Sequence, residues 1–134
     1  MRFFFDRSAA IGLAKMVRAI DEKKFLIVHH DEDPRFNPKT PDIEWMETLG
    51  RDGDPPWIVI SGDGRILKNK VERQVLTETN LIFFCLDDPW VMWPLYESAW
   101  RFMKVWPRIV EEATKPKSKR FRVRGGTSLK IEAI

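Results

Sequence analysis

MRFFFD, residues 1–6, carries three successive phenylalanines, Phe3 to Phe5, and stops at an aspartate, Asp6. A strand with water on one face alternates apolar and polar residues, because neighbouring side chains point to opposite faces. An unbroken apolar run instead marks a strand buried on both faces, as in a parallel sheet beneath two layers of helices. Working outward, the same pattern returns at FLIVHH (25–30), WIVIS (57–61) and LIFFCL (81–86).

The stretches between these runs have helical spacing. Ala10, Leu13, Ala14, Val17 and Ile20 predict an apolar helix face opposite Lys15, Arg18 and Asp21, with Ser8 as the N-cap. DEDPRFNPKTP (31–41) is a loop by its Pro, Asn and Asp content. Thr40 as cap and Pro41 at the first position predict a second helix, with Met46 and Leu49 facing inward and a Gly/Pro-rich end at Gly50–Pro56. A polar helix is expected over Asn69–Thr79. A long one is expected over Trp93–Thr114, with Leu95, Ala99, Met103, Trp106 and Val110 as its buried stripe and a kink at Pro107.

Strands alternating with helices, joined by crossovers long enough for parallel pairing, predict an α/β fold of three layers. Its central sheet should be mostly parallel, of about four to five strands, with helices on both faces. At 134 residues the chain is expected to form one domain. Residues 1–114 make the α/β core, and 115–134 a basic C-terminal extension able to add short edge strands around Gly125-Gly126. The single cysteine, Cys85, excludes an internal disulfide, and no CxxC pair offers a zinc site. No apolar run is long enough to span a bilayer, and MRFFFDRS meets charge too soon for a signal peptide. These features place the protein in the cytoplasm, away from membranes. A net charge of +3 permits a polyanionic partner without demanding one.

In parallel α/β sheets, sites form at the carboxyl ends of the strands. Asp6 ends the first strand, Asp63 follows the third, and Asp42 lies in the first turn of the helix leaving the second. All three should meet at one edge. Two like charges about 4 Å apart repel by roughly 4 kcal/mol at an effective dielectric of 20, so such a cluster takes up protons or a cation. An all-oxygen donor set favours Mg²⁺ or Mn²⁺, and metal-assisted phosphodiester hydrolysis is the matching chemistry.

Each acid also has a structural role open to it. Asp6 can cap a helix, Asp42 can complement the helix dipole, and Asp63 can serve a turn between two glycines. Glu44 is the alternative to Asp42, though it points roughly 200° away on the same helix. Asp87 and Asp88 could add a fourth acid, but capping the turn at Pro89 is the simpler role. Ser61 is placed to fix a carboxylate by a hydrogen bond. His29 and His30 point to opposite faces, so they cannot both serve one site.

The acid-free run KPKSKRFRVR (115–124) supplies Lys115, Lys117, Lys119, Arg120, Arg122 and Arg124 as RNA-phosphate contacts, or else as a solvated terminus. Trp90, Trp93, Trp100 and Trp106 are base-stacking candidates. Trp106 fits the buried stripe, whereas Trp93 and Trp100 suit a partner surface.

Taken in order, MRFFFD, TPDIEW (40–45), WIVISGD (57–63) and WPRIVE (106–111) resemble the PIN-like domains of VapC-type toxins, in particular a branch with a long Trp-rich last helix. The resemblance extends to about Ala113. It implies a PIN fold, ribonuclease activity on single-stranded or structured RNA that depends on one or two Mg²⁺ or Mn²⁺ ions, and the role of toxin in a toxin–antitoxin pair. Its implied partners are RNA, an antitoxin protein and a second copy of the chain. Carried over by motif, the metal-holding catalytic acids are Asp6 in FFFD, Asp42 in TPDIEW (Glu44 as alternative) and Asp63 in ISGD. Arg7 departs from the family pattern, which usually has Asn or Glu after the first aspartate. Its guanidinium beside Asp6 could replace a metal, which keeps open a non-catalytic RNA- or protein-binding module on the same scaffold. A receiver-like or nucleotide-binding domain ranks last, for want of a Gly-rich phosphate loop.

Overall fold

A computed structural model describes residues 1–126 and 128–134. The strands are β1 (Arg2–Phe5), β2 (Leu26–His29), β3 (Trp57–Ser61), β4 (Ile82–Leu86), β5 (Arg120–Val123) and β6 (Ile131–Ala133). The helices are α1 (Ile11–Asp21), α2 (Asp42–Arg51), α3 (Arg65–Lys68), α4 (Lys70–Glu78), α5 (Asp88–Met92) and α6 (Leu95–Thr114). One six-stranded sheet runs in the order β2-β1-β3-β4-β5-β6, parallel throughout except for β6 against β5. The fold is thus α/β with a mostly parallel sheet, one strand wider than expected.

The extra width comes from the C-terminal segment. β5 pairs with β4 and is an inner strand, and β6 alone forms the edge. Phe121 stacks on Phe84 with ring centroids 4.7 Å apart, and Phe121 and Val123 are fully buried. Four of the ten residues of KPKSKRFRVR are therefore sheet rather than solvated tail.

Two cores lie on opposite faces, as the alternation of side chains along the strands requires. Phe3, Phe5, Ile58, Ile60 and Phe84 pack under α1 and α6, and Phe4, Val59, Phe83 and Cys85 pack under α2, α3 and α4. Phe3 meets Trp106 at 4.8 Å, and Phe4 meets Trp45 at 5.4 Å. The helix reached through Pro94 buries Ser98, Phe102, Val105, Trp106, Ile109 and Ala113. Of the expected stripe only Trp106 is buried, while Leu95 and Met103 are about half exposed. Trp106 donates its indole N–H to Asp21 at 2.8 Å, and α6 continues through Pro107. In α1, Leu13, Ala14 and Val17 face inward but Ile20 is exposed.

Candidate functional site

The carboxyl ends of β1 and β3 and the start of α2 enclose a cavity of about 340 Å³. Its lining includes Asp6, Asp42, Asp63, Arg7, His30 and Arg65. Asp6 follows β1 directly, and its backbone N–H still donates to Ile60 across the β1–β3 pair. Ser8 is not a helix cap, since α1 begins from Ala10 without a side-chain cap. It serves the acid instead: its amide and hydroxyl both donate to Asp6 Oδ1, and its Oγ accepts from the Gly62 amide at 2.8 Å. On the other side, Ser61 Oγ donates to Asp6 Oδ2 at 2.6 Å and accepts from the Asp63 amide at 3.0 Å. Two serines thus tie the first aspartate to the backbone that carries the third. Gly62 permits this close approach, because a Cβ there would meet the Ser8 carbonyl oxygen at 2.8 Å.

Asp6 is 3% exposed, and burial outweighs its hydroxyl hydrogen bonds, pushing its carboxyl up to about 6, with Asp42 adding to the rise. Asp42 is half-buried and accepts the Trp45 indole N–H at 2.9 Å. Asp63 is chelated by Arg65: Nε on Oδ1 and Nη2 on Oδ2, both at 2.9 Å, with the Arg65 amide on Oδ1 at 3.0 Å. Those bonds hold the Asp63 carboxyl below its ordinary value. Glu44 is exposed and does not line the cavity.

An acid not singled out in the sequence stands close by. Glu72, in the first turn of α4, has its carboxyl raised by burial and then by Asp42 and Asp63. Its Oε2 is buried with no hydrogen-bond partner among the described residues. Helical spacing along a polar helix gives no sign of which acid turns inward, so α4 offered no signal for it. Asp87 and Asp88 lie elsewhere. Asp87 stands at the N-cap position of α5 and accepts the Gly125 amide at 2.8 Å, and Asp88 is exposed.

Arg7 forms no ion pair with Asp6. It turns to Asp31 at 3.3 Å and donates to the Pro38 carbonyl at 2.9 Å. The guanidinium that does occupy an acid of the cavity belongs to Arg65. His29 is buried in structure, its Nε2 against the Ala9 carbonyl at 2.8 Å and its Nδ1 accepting the Asp31 amide at 3.0 Å. His30 lines the cavity, stacks on Phe36, and has its imidazole pushed down by burial.

The basic segment is not gathered at this cavity. Lys117 and Lys119 line a different hollow with Asp54, Pro56 and Asn80, at the amino ends of β3 and β4. Lys117 pairs with Glu112 at 3.2 Å, and Arg124 pairs with Glu132 at 3.0 Å. Lys115 lies on the groove beside the end of α6. Arg120 and Arg122 project from β5 on the face away from Phe121 and Val123. Among the tryptophans, Trp90 is buried and donates to Val123 O at 3.1 Å, while Trp93 and Trp100 flank Arg101 at 4.3 and 4.5 Å.

Three observations bear on whether a hard divalent ion suits this site. The donors are all carboxylate oxygens, Asp6 is a buried acid bonded by no basic side chain, and Glu72 presents an unpartnered oxygen. In kind, the set fits. As arranged, however, no group of three His, Cys, Asp or Glu among the described residues stands close enough to hold an ion, and Arg65 occupies both oxygens of Asp63. Asp63 is a free donor only when Arg65 leaves it. The Arg65 side chain is 86% exposed and has no other ion-pair partner among the described residues, so little opposes that movement.

No curated protein matches the chain, and no solved structure does. The family model described as a PIN like domain matches residues 1–88, about two-thirds of the sequence, and takes in β1 to β4 with all of Asp6, Asp42, Asp63 and Glu72. The chain therefore belongs to the PIN like domain family, a nuclease-type fold family.

Proposed function

We propose that the protein is a metal-dependent endoribonuclease that hydrolyses RNA phosphodiester bonds at the cavity of Asp6, Asp42 and Asp63. The observation that carries this is the state of Asp6: buried, tied by two serines, and facing a cavity with two further aspartates. An acid kept there at the cost of a raised carboxyl pKa gains a use if a cation neutralises it. Asp6, Asp42 and Asp63 would hold one or two Mg²⁺ or Mn²⁺ ions, with Glu72 beside them. When bound, such an ion polarises a phosphoryl oxygen and makes water more acidic. Ser8 and Ser61 fix the Asp6 carboxylate in orientation, and Arg7 and His30 form the wall past which RNA would run.

The VapC-type role, toxin of a toxin–antitoxin pair, belongs to the same proposal. Its support is the exposed apolar Tyr96, Trp100 and Met103, spaced to form one stripe on α6, with Met92 also exposed at the end of α5, a surface suited to an antitoxin or a second copy of the chain. A single cysteine, buried, suits a cytoplasmic protein, and no described helix is long and apolar enough to cross a membrane.

Cleavage of a labelled single-stranded RNA with Mn²⁺ or Mg²⁺, set against EDTA, tests the activity. Asp6→Asn should abolish it while the circular dichroism spectrum stays native, and undiminished cleavage by the purified variant would refute the assignment. The Arg65–Asp63 chelate favours a second reading, a non-catalytic RNA- or protein-binding module in which arginine takes the place of the metal. Melting in a Mn²⁺ series separates the two, because a ligand bound only by the folded state raises Tm. No rise at millimolar Mn²⁺ would favour the module.

A further inference from the structure

Away from the acid cavity, the core under the second helical layer stops at β4 and takes in no residue of β5 or β6. Phe121 and Val123 of β5 enter the core under α1 and α6, so Arg120 and Arg122 emerge on the opposite face. No residue of β5 belongs to the core under α2, α3 and α4. Beside this strand, Lys70, Arg73, Gln74 and Thr77 recur at helical spacing along α4, and with Arg120 they line a groove of about 450 Å³. Among the described residues, Lys70, Arg73, Arg120 and Arg122 make no ion pair, and no carboxylate lines the groove.

The chemistry of this groove is specific in kind. Its cations have no internal counter-charge, its other walls are an amide and a hydroxyl, and it offers no apolar side chain to anchor a peptide or a base. A polyanion with regularly spaced charges satisfies such a surface, since each cation contributes affinity by releasing condensed counterions. Its position is also informative. Glu72, on the same helix, stands in the field of Asp42 and Asp63, so the groove and the acid cavity flank the two sides of α4.

We propose that the shelf formed by Lys70 and Arg73 of α4 with Arg120 and Arg122 of β5 binds the phosphodiester backbone of a single-stranded nucleic acid and leads it past α4 to the acid cavity. The direction of that path rests on the nuclease reading; the binding does not. The shelf takes the phosphate-binding role in place of Lys115 and Lys117, because Lys115 lies on the groove beside the end of α6 and Lys117 pairs with Glu112, whereas Lys119 directly precedes Arg120 at the start of β5.

The test is fluorescence anisotropy of a labelled single-stranded RNA and of a DNA of the same sequence, titrated with the full chain in EDTA over a salt series. Arg73→Glu and the double variant Arg73→Glu/Arg120→Gln should weaken binding and flatten the plot of log K against log salt by about 0.7 per cation removed. Lys115→Gln/Lys117→Gln, beside the end of α6, should change neither. Arg73 is exposed on a helix surface, so its single variant keeps the test valid if changes on β5 disturb folding. Equal losses for RNA and DNA identify the backbone as what is read, and a loss confined to RNA adds a 2′-hydroxyl contact to the same shelf. The proposal is overturned if wild type binds neither oligonucleotide at low salt, if the lysine pair matters and the shelf does not, or if shelf variants lose only binding to phosphatidylserine vesicles. Shelf-dependent binding without metal-dependent cleavage would leave the shelf standing and remove the nuclease reading.

Discussion

The two faces of the sheet are built differently. Under α1 and α6 lies an apolar core in which Phe3, Phe5, Phe84, Phe102, Trp106 and Phe121 pack from β1 to β5. Under α2, α3 and α4 the core is smaller, ends at β4, and gives way at its margins to charge: acids at the carboxyl edge and, on β5, arginines without an ion-pair partner among the described residues. The first face uses its burial for stability. The second gives up part of that burial, and the polar groups it leaves open are the ones able to meet a charged ligand.

Truncation should separate the faces most strongly. Phe102 is fully buried among Phe5, Trp90 and Trp106, so Phe102→Ala should cost about 3–5 kcal/mol by urea denaturation. The Mn²⁺ concentration that half-saturates the Tm rise of the protein still folded should not change. If it moves, the two faces are coupled through the sheet.

Next comes the pH dependence. The folded Asp6 carboxyl sits at about 6 against 3.8 unfolded, so between these values the folded state holds a proton that the unfolded state has released. Metal-free stability from this group is therefore full below about pH 4 and falls as pH rises through 6, by about 3 kcal/mol at 1.36 kcal/mol per unit. Asp6→Asn should remove that slope in denaturation curves between pH 4 and 7. Mn²⁺ protection should run the other way, growing as pH rises through 6, because the ion needs the carboxylate.

A smaller effect tests the chelate. Arg65→Gln should free Asp63 and lower the Mn²⁺ midpoint of the Tm rise about twofold to fivefold, the scale of an exposed ion pair. A midpoint unchanged or raised would show that Arg65 does not compete with the metal. The smallest effect is expected at Met103, which the helical stripe had marked as core. At 47% exposure, Met103→Ala should shift stability by no more than about 0.5 kcal/mol.

Met103 also shows where the sequence stops being informative. On α6, Leu95, Ala99, Met103, Trp106 and Val110 have the right spacing, but so do Ser98, Phe102, Val105, Ile109 and Ala113. Spacing defines a period and leaves its phase open when both faces of a helix carry apolar residues. The phase was settled by the sheet, where Phe5 packs on Phe102 with ring centroids 5.8 Å apart. Thr40 and Pro41 were read nearly in register, since α2 starts one residue later at Asp42 with Pro41 as N-cap. Ser8 fits an N-cap by type, yet its hydroxyl went to a buried carboxylate, where an unmet acceptor would cost more than a frayed helix end.

The unbroken runs MRFFFD, WIVIS and LIFFCL, together with the helical spacing between them, determined that the sheet is mostly parallel and covered on both faces, because strands joined by helical crossovers pair in parallel and bury both sides. The same strand ends placed Asp6 and Asp63 at one edge, where Asp42 lines the same cavity. Tertiary structure alone decided that β5 lies inside the sheet, that Glu72 turns toward the acids, and that Arg65 rather than Arg7 pairs with an acid of the cavity. Those outcomes depend on which distant side chains share a small volume. Charge and hydrogen bonding act across space at a few ångströms, and the linear order of residues does not record those distances.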